Sequence, residues 1–137
     1  MTSSAESRVK FKNVLLVDDD YVSNFIADHL LTKLDLCENL TFCRNGDEAL
    51  KYLKSVGDDF PELIFLDINM PVMDGFEFIE TFQRLNLDKK KTRIIIYTSS
   101  FSPKDLEVLK NIGFNDFIIK PLTEEKLMNV LKLFSTN

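Results

Sequence analysis

Short apolar runs alternate with stretches of helical periodicity five times along this 137-residue chain, and four of the runs end abruptly in charged or hydroxyl-bearing side chains. Residues 13–17 lead into Asp18, Asp19 and Asp20; residues 63–67 end in Asp67; residues 93–98 end in Thr98, with Ser99 and Ser100 beyond; residues 116–120 end in Lys120. The run "LTFC" at 40–43 completes a set of five strands. Nearly continuous apolar strands suit a parallel sheet buried on both faces, because each right-handed crossover lays a helix over the sheet. The expected fold is therefore α/β, a doubly wound five-stranded parallel sheet with five helices.

The intervening segments carry helix signals. From 21 to 34 the apolar residues Val22, Phe25, Ile26, Leu30 and Leu34 recur at helical spacing and are expected to face the sheet. Asn45 is placed to cap a second helix with Glu48 in its first turn and Gly57 at its end, and Asp74 with Glu77 forms a capping box for a third running through Leu85. Ser102 and Pro103 make an N-cap and N1 pair for a fourth helix that Gly113 ends. Thr123 caps a fifth, whose apolar face is Leu127, Val130, Leu131 and Phe134. One domain is expected over 11–137, preceded by a mobile segment at 1–10, with a second exposed stretch at 87–91 around "DKKK".

Composition narrows the function. Acidic residues outnumber basic ones 22 to 17, for a net charge of -5, and no Lys/Arg-rich face could track a phosphate backbone, so direct nucleic-acid binding is not expected. No apolar run is long enough to span a bilayer and the N-terminus lacks a secretory pattern, which points to a cytoplasmic protein with no membrane partner. Cys37 and Cys43 have neither zinc-site nor CxxC spacing and read as buried free thiols; His29, the only histidine, reads as an ordinary helix residue.

In an open α/β sheet the functional crevice lies outside the carboxyl ends of the strands, where this chain collects three acids, a further acid, hydroxyls and a lysine. Carboxylates crowded in one pocket repel each other, and the repulsion is met by raised pKa values or by a cation. Oxygen-only ligands favour a hard ion, and Mg²⁺ suits one or two carboxylates with room left for phosphate oxygens. A carboxylate can itself attack phosphorus, in a transfer governed by positioning and charge neutralisation, which Lys120 and the Thr98 hydroxyl can supply. Asp20 is either a third metal ligand or the cap of the first helix; the cap is favoured.

The segments "VLLVDDD", "LIFLDINMPVMDGFEFI", "RIIIYTSS" and "DFIIKPL" resemble, in order and separation, the receiver domain of two-component response regulators, and the resemblance covers nearly the whole chain. It implies the flavodoxin-like strand order 2-1-3-4-5. It implies Asp67 as phosphoacceptor, Asp18 and Asp19 as metal-binding acids beside Asp67, and Asn69 as a Mg²⁺ ligand through its backbone carbonyl. Thr98 matches the hydroxyl that relocates toward the phosphoryl group, Lys120 the lysine that contacts it, and Phe117 the switch aromatic; the Lys120–Pro121 peptide is expected to be cis. The chain departs from the pattern at Ser99, often a smaller residue, and at Phe117, which lacks a tyrosine's hydroxyl. Asn69 and Ser100 would flank the attacking water and set the lifetime of the phosphate.

The resemblance further implies a sensor histidine kinase or histidine phosphotransfer protein as donor. A downstream protein is expected on the face of helix 4, strand 5 and helix 5, near Phe101, Phe114 and Phe117. Such a domain is a switch that catalyses only its own phosphorylation and dephosphorylation, not an enzyme. After Phe134 only Ser135, Thr136 and Asn137 follow, so output is expected through separate partners or onward phosphotransfer. A haloacid-dehalogenase-like phosphatase would need an acid where Asn69 stands, and a flavin carrier a phosphate-cradling loop in place of the three acids.

Overall fold

The computed structural model describes residues 10–70, 73–85 and 92–132. The strands are β1 (Phe11–Val17), β2 (Cys37–Cys43), β3 (Leu63–Leu66), β4 (Arg93–Thr98) and β5 (Phe117–Ile119). Between and after them run α1 (Tyr21–Lys33), α2 (Gly46–Ser55), α3 (Gly75–Arg84), α4 (Pro103–Asn111) and α5 (Glu124–Leu131). All four strand pairings are parallel and the order is β2-β1-β3-β4-β5, as the resemblance implied. The sequence expectations for residues 1–9, for the charge run at 87–91 and for Phe134 lie outside the described residues.

Pleating splits each central strand between two cores. Leu15, Val17, Ile64, Leu66, Ile94 and Ile96 face α2, α3 and α4 through Leu53, Phe78 and Leu109. Val14, Leu16, Leu63, Phe65, Ile95 and Tyr97 face α1 and α5 through Ala27, Leu31, Leu127 and Leu131. Buried on both sides, β1, β3 and β4 are fixed in position, and so are the residues at their carboxyl ends. Among the described residues no helix is long and apolar enough to cross a membrane.

Three expectations need correction. The buried stripe of α1 is Ser23, Ala27 and Leu31, continuing to Leu34, while Val22 and Phe25 are 61% and 64% exposed beside an 82% exposed Tyr21. Small residues at 23 and 27 let the helix lie close to the sheet, which rotates the larger side chains outward; Ile26 and Leu30 are partly buried at the margin. Strand β2 begins three residues before the "LTFC" run, because on this edge strand Glu38 and Asn39 are exposed and need not be apolar. Consequently Cys37 is only half-buried, whereas Cys43 is buried.

The caps at Asn45, Asp74, Ser102 and Thr123 all accept from first-turn amides, with capping boxes at Asp74 and Ser102. Gly57 opens a short 3-10 turn just beyond α2, and Gly113, at φ 98°, follows α4 as expected. Helix α1 ends without a glycine: Asp35 occupies the left-handed region at φ 54°, while Leu36 N–H closes on Leu31 O at 3.0 Å. Left-handed backbone costs a residue with a Cβ more than it costs glycine. The ion pair between Lys10 and Asp35 is exposed and offsets little of this. Asp35→Gly is therefore expected to raise unfolding stability by about 0.5–1 kcal/mol, read as a higher urea midpoint with unchanged slope.

Candidate functional site

The carboxyl ends of β1, β3, β4 and β5 meet in one acidic hollow. Asp18, fully buried, follows β1; Asp67, also buried, follows β3; Thr98, buried, closes β4; Lys120 follows β5. Lys120 Nζ lies 2.7 Å from Asp18 Oδ2 and 3.2 Å from Asp67 Oδ2, so one ammonium bridges both acids. The exposed Asp19 joins them: one carboxylate oxygen from each of Asp18, Asp19 and Asp67 falls within a 4.8 Å cluster.

Local hydrogen bonds fix each piece. Asp20 N–H donates to Asp18 Oδ1 at 2.9 Å, and Asn24 Nδ2 donates to the Asp18 carbonyl at 3.1 Å, tying the turn after β1 to α1. Asp20 itself caps α1, accepting from Val22 N–H and from Ser23 Oγ at 2.7 Å. Asn69 donates its backbone N–H to Asp67 Oδ1 at 3.0 Å and its side-chain amide to Thr98 Oγ1 at 3.1 Å. Lys120 N–H donates to Thr98 O at 2.8 Å, the Lys120–Pro121 peptide is cis, and Lys126 Nζ holds the carbonyls of Ile119 and Pro121 at 2.8 and 3.0 Å. Ser99, Ser100 and Asn69 are exposed at the mouth, and Phe117 lies edge-on to Phe101 with ring centroids 5.2 Å apart.

Burial dominates the electrostatics. It pushes the Asp18 carboxyl up to about 6, against the hydrogen bond and charge of Lys120, which pull it down. Burial alone would lower Lys120, but Asp18 and Asp67 more than offset that and hold its ammonium above the ordinary range. Three clustered carboxylates with only oxygen to offer, one costly to ionise, fit a hard divalent cation such as Mg²⁺. Asp18, Asp19 and Asp67 are the residues that would hold it.

Two close contacts were not legible from motifs. Gly75, the first residue of α3, packs so tightly on the loop after β3 that an added Cβ would sit 2.5 Å from Ile68 Cα and 2.8 Å from Asp67 O. Only glycine permits that approach; the "DG" pair hinted at a helix start, not at contact with the site. Tyr97, on the strand residue before Thr98, places its buried ring under Lys120, with Nζ 5.1 Å from the centroid. Nothing in an apolar strand marks a tyrosine as a neighbour of a lysine in another strand.

Because the folded pKa of Asp18 is raised above its unfolded value, the stability it permits is complete below pH 4 and is lost as pH rises through about 6. In metal-free buffer, wild type is expected to lose about 1–2 kcal/mol more than Asp18→Asn between pH 4 and pH 7. Chemical denaturation of both proteins at the two pH values measures the difference, and parallel profiles would refute the burial account.

Comparison with known proteins agrees with this architecture. Residues 14–132 match the family model of the response regulator receiver domain. The chain is similar to two-component response regulator 24 of Arabidopsis thaliana, 30% identical and covering 93% of this chain and 84% of that protein. It is also similar to part of the CAI-1 autoinducer sensor kinase/phosphatase CqsS of Vibrio cholerae, 31% identical over 86% of this chain. The chain spans 16% of that kinase and between 7% and 54% of the next four curated relatives. Among solved structures, a two-component response regulator from Cytophaga hutchinsonii superposes with a TM-score of 0.82 at 27% identity, covering 93% of this chain and 99% of that one. The chemotaxis protein CheY4 of Vibrio cholerae superposes with a TM-score of 0.74 at 29% identity, covering 89% and 97%. With five parallel strands in the family's order and an acidic hollow at their carboxyl edge, the chain belongs to the response regulator receiver domain family.

Proposed function

We propose that this chain is a cytoplasmic phosphorylation switch in which Asp67 takes a phosphoryl group from the phosphohistidine of a sensor histidine kinase or phosphotransfer protein. The observation that carries the reading is the single ammonium of Lys120 between Asp18 and Asp67, a cation already placed at the acid that would react. An Asp67 oxygen attacks phosphorus in line, the phosphorus–nitrogen bond to the imidazole breaks, and the imidazole leaves with the bonding pair and takes up a proton. Asn69 N–H orients one Asp67 oxygen throughout, and Lys120 neutralises charge on the other side. Mg²⁺, held by Asp18, Asp19, Asp67 and the Asn69 carbonyl, would neutralise charge on the phosphoryl oxygens.

Phosphorylation removes the charge of Asp67 and offers Thr98 new acceptors, so its hydroxyl, now accepting from Asn69, turns toward the phosphoryl group. That motion would repack Phe117 against Phe101 and change the face of α4, β5 and α5 presented to a downstream protein. Asn69 and Ser100, both exposed, flank the water that later hydrolyses the acyl phosphate. Turnover is limited to this self-modification, so the domain acts as a switch and not as a conventional enzyme.

The exposed Tyr21, Val22 and Phe25 follow directly on the acidic turn at residues 18–20, and a protein donor reaching Asp67 would cover them.

Two measurements test the proposal. Incubation with acetyl phosphate and Mg²⁺ is expected to add one phosphoryl mass to wild type and none to Asp67→Asn, with little labelling under EDTA; equal labelling of the mutant would overturn the assignment. Val22→Ser with Phe25→Ser is expected to slow transfer from a phosphorylated donor protein by about tenfold or more while leaving acetyl phosphate labelling unchanged. Equal rates from the protein donor would remove α1 from the docking face.

A further inference from the structure

We propose that Tyr97 is a positioning residue for phosphoryl transfer, its ring face acting as the seat on which the Lys120 ammonium rests and moves between its carboxylate partners and the incoming phosphoryl group. The inference rests on the reading of Asp67 and Lys120 given above.

The geometry is specific. Lys120 Nζ stands 5.1 Å from the Tyr97 centroid, inside the range in which a cation is attracted to an aromatic face. The ring cannot drift. Tyr97 is 1% exposed, Phe65 of β3 meets it edge-on at 6.1 Å and 74°, and its backbone is in register with Ile118 of β5, two residues before Lys120. The ammonium is therefore held by three contacts, Asp18, Asp67 and the ring.

Only the ring survives the reaction unchanged. Formation of the acyl phosphate removes the carboxylate charge of Asp67, and Asp18 would be shared with a bound divalent cation, so both ion pairs weaken at the moment when Lys120 must face phosphate oxygens. An aromatic face attracts the cation without neutralising it, leaving its positive charge available. A lysine stem with four rotatable carbons would otherwise lose its orientation once its acid partners are engaged. Burial pushes the phenol up to about 12, so the ring stays neutral throughout. The hydroxyl's polar neighbour is Ser23, whose own proton goes to Asp20. The feature that matters is thus the π-face, not the phenol oxygen.

Rates of acetyl phosphate labelling at saturating Mg²⁺ separate this role from simple core filling. Tyr97→Phe is expected to keep the wild-type rate within about twofold, and Tyr97→Leu to lose about three- to tenfold. In a Lys120→Ala background the Leu exchange is expected to change the rate by less than about twofold, because the group it positions is gone. Should Tyr97→Leu unfold, pentafluorophenylalanine at position 97 keeps the shape while reversing the ring's charge distribution, and is expected to slow labelling as Leu would. The proposal is overturned if Tyr97→Phe falls as far as Tyr97→Leu, if the fluorinated ring labels at the wild-type rate, or if the loss is the same with and without Lys120. Labelling that persists in Asp67→Asn would instead overturn the acceptor assignment, an outcome distinct from each of these.

Discussion

The structure turns on one ammonium placed between two buried acids. Asp18 and Asp67 come from different strands, and bringing both into the same water-poor hollow is unfavourable unless a cation accompanies them. Lys120 is that cation, delivered by a third strand and held at 2.7 and 3.2 Å. The strand order follows the same logic: β3 lies between β1 and β4, so Asp67 stands at the centre with Asp18 on one side and Thr98 and Lys120 on the other. The cost of the arrangement stays visible in Asp18, whose carboxyl is pushed up to about 6 by burial even with its partner present. A site that tolerates such crowding is poised for a further charge to enter, because a divalent ion relieves what the lysine only balances.

Much of this was legible in the sequence because strands buried on both faces announce themselves as apolar runs, and their ends are then the only places for polar chemistry. Asp18, Asp67, Thr98 and Lys120 came together for that reason, and Asp20 proved to be the cap of α1 through its bonds to Val22 and Ser23. Helix α1 was misjudged because periodicity counts large apolar side chains, whereas contact with a sheet rewards small ones: Ser23 and Ala27 are inside, Val22 and Phe25 outside. The start of β2 was hidden because an edge strand has an exposed side that any polar residue can occupy. Gly75 and Tyr97 act through space, the first on a loop that folds back to it and the second on a lysine of the adjacent strand. No spacing rule along one chain encodes either contact.

The hollow is rigid below and adjustable above. Beneath it lie two cores sharing one sheet, with Tyr97 at the top of one and Ile96 at the top of the other. Around its rim, side chains are held by one or two hydrogen bonds each: the Asn69 amide to Thr98, Lys126 to the carbonyls on either side of Lys120. A rigid base with a few separable latches favours discrete alternatives over gradual deformation.

In the proposed switch the latch between Asn69 and Thr98 carries a quantitative consequence for signalling fidelity. A neutral hydrogen bond between side chains is worth on the order of 1 kcal/mol, which biases two positions of the Thr98 hydroxyl by roughly fivefold. If resting and active forms interconvert spontaneously, as the proposed switch requires, this bond would contribute to how seldom the output face is displayed with no stimulus. In the proposed switch Asn69 would thus act twice, on the resting bias through its side-chain amide and on the lifetime of the phosphate through its place at the mouth of the site.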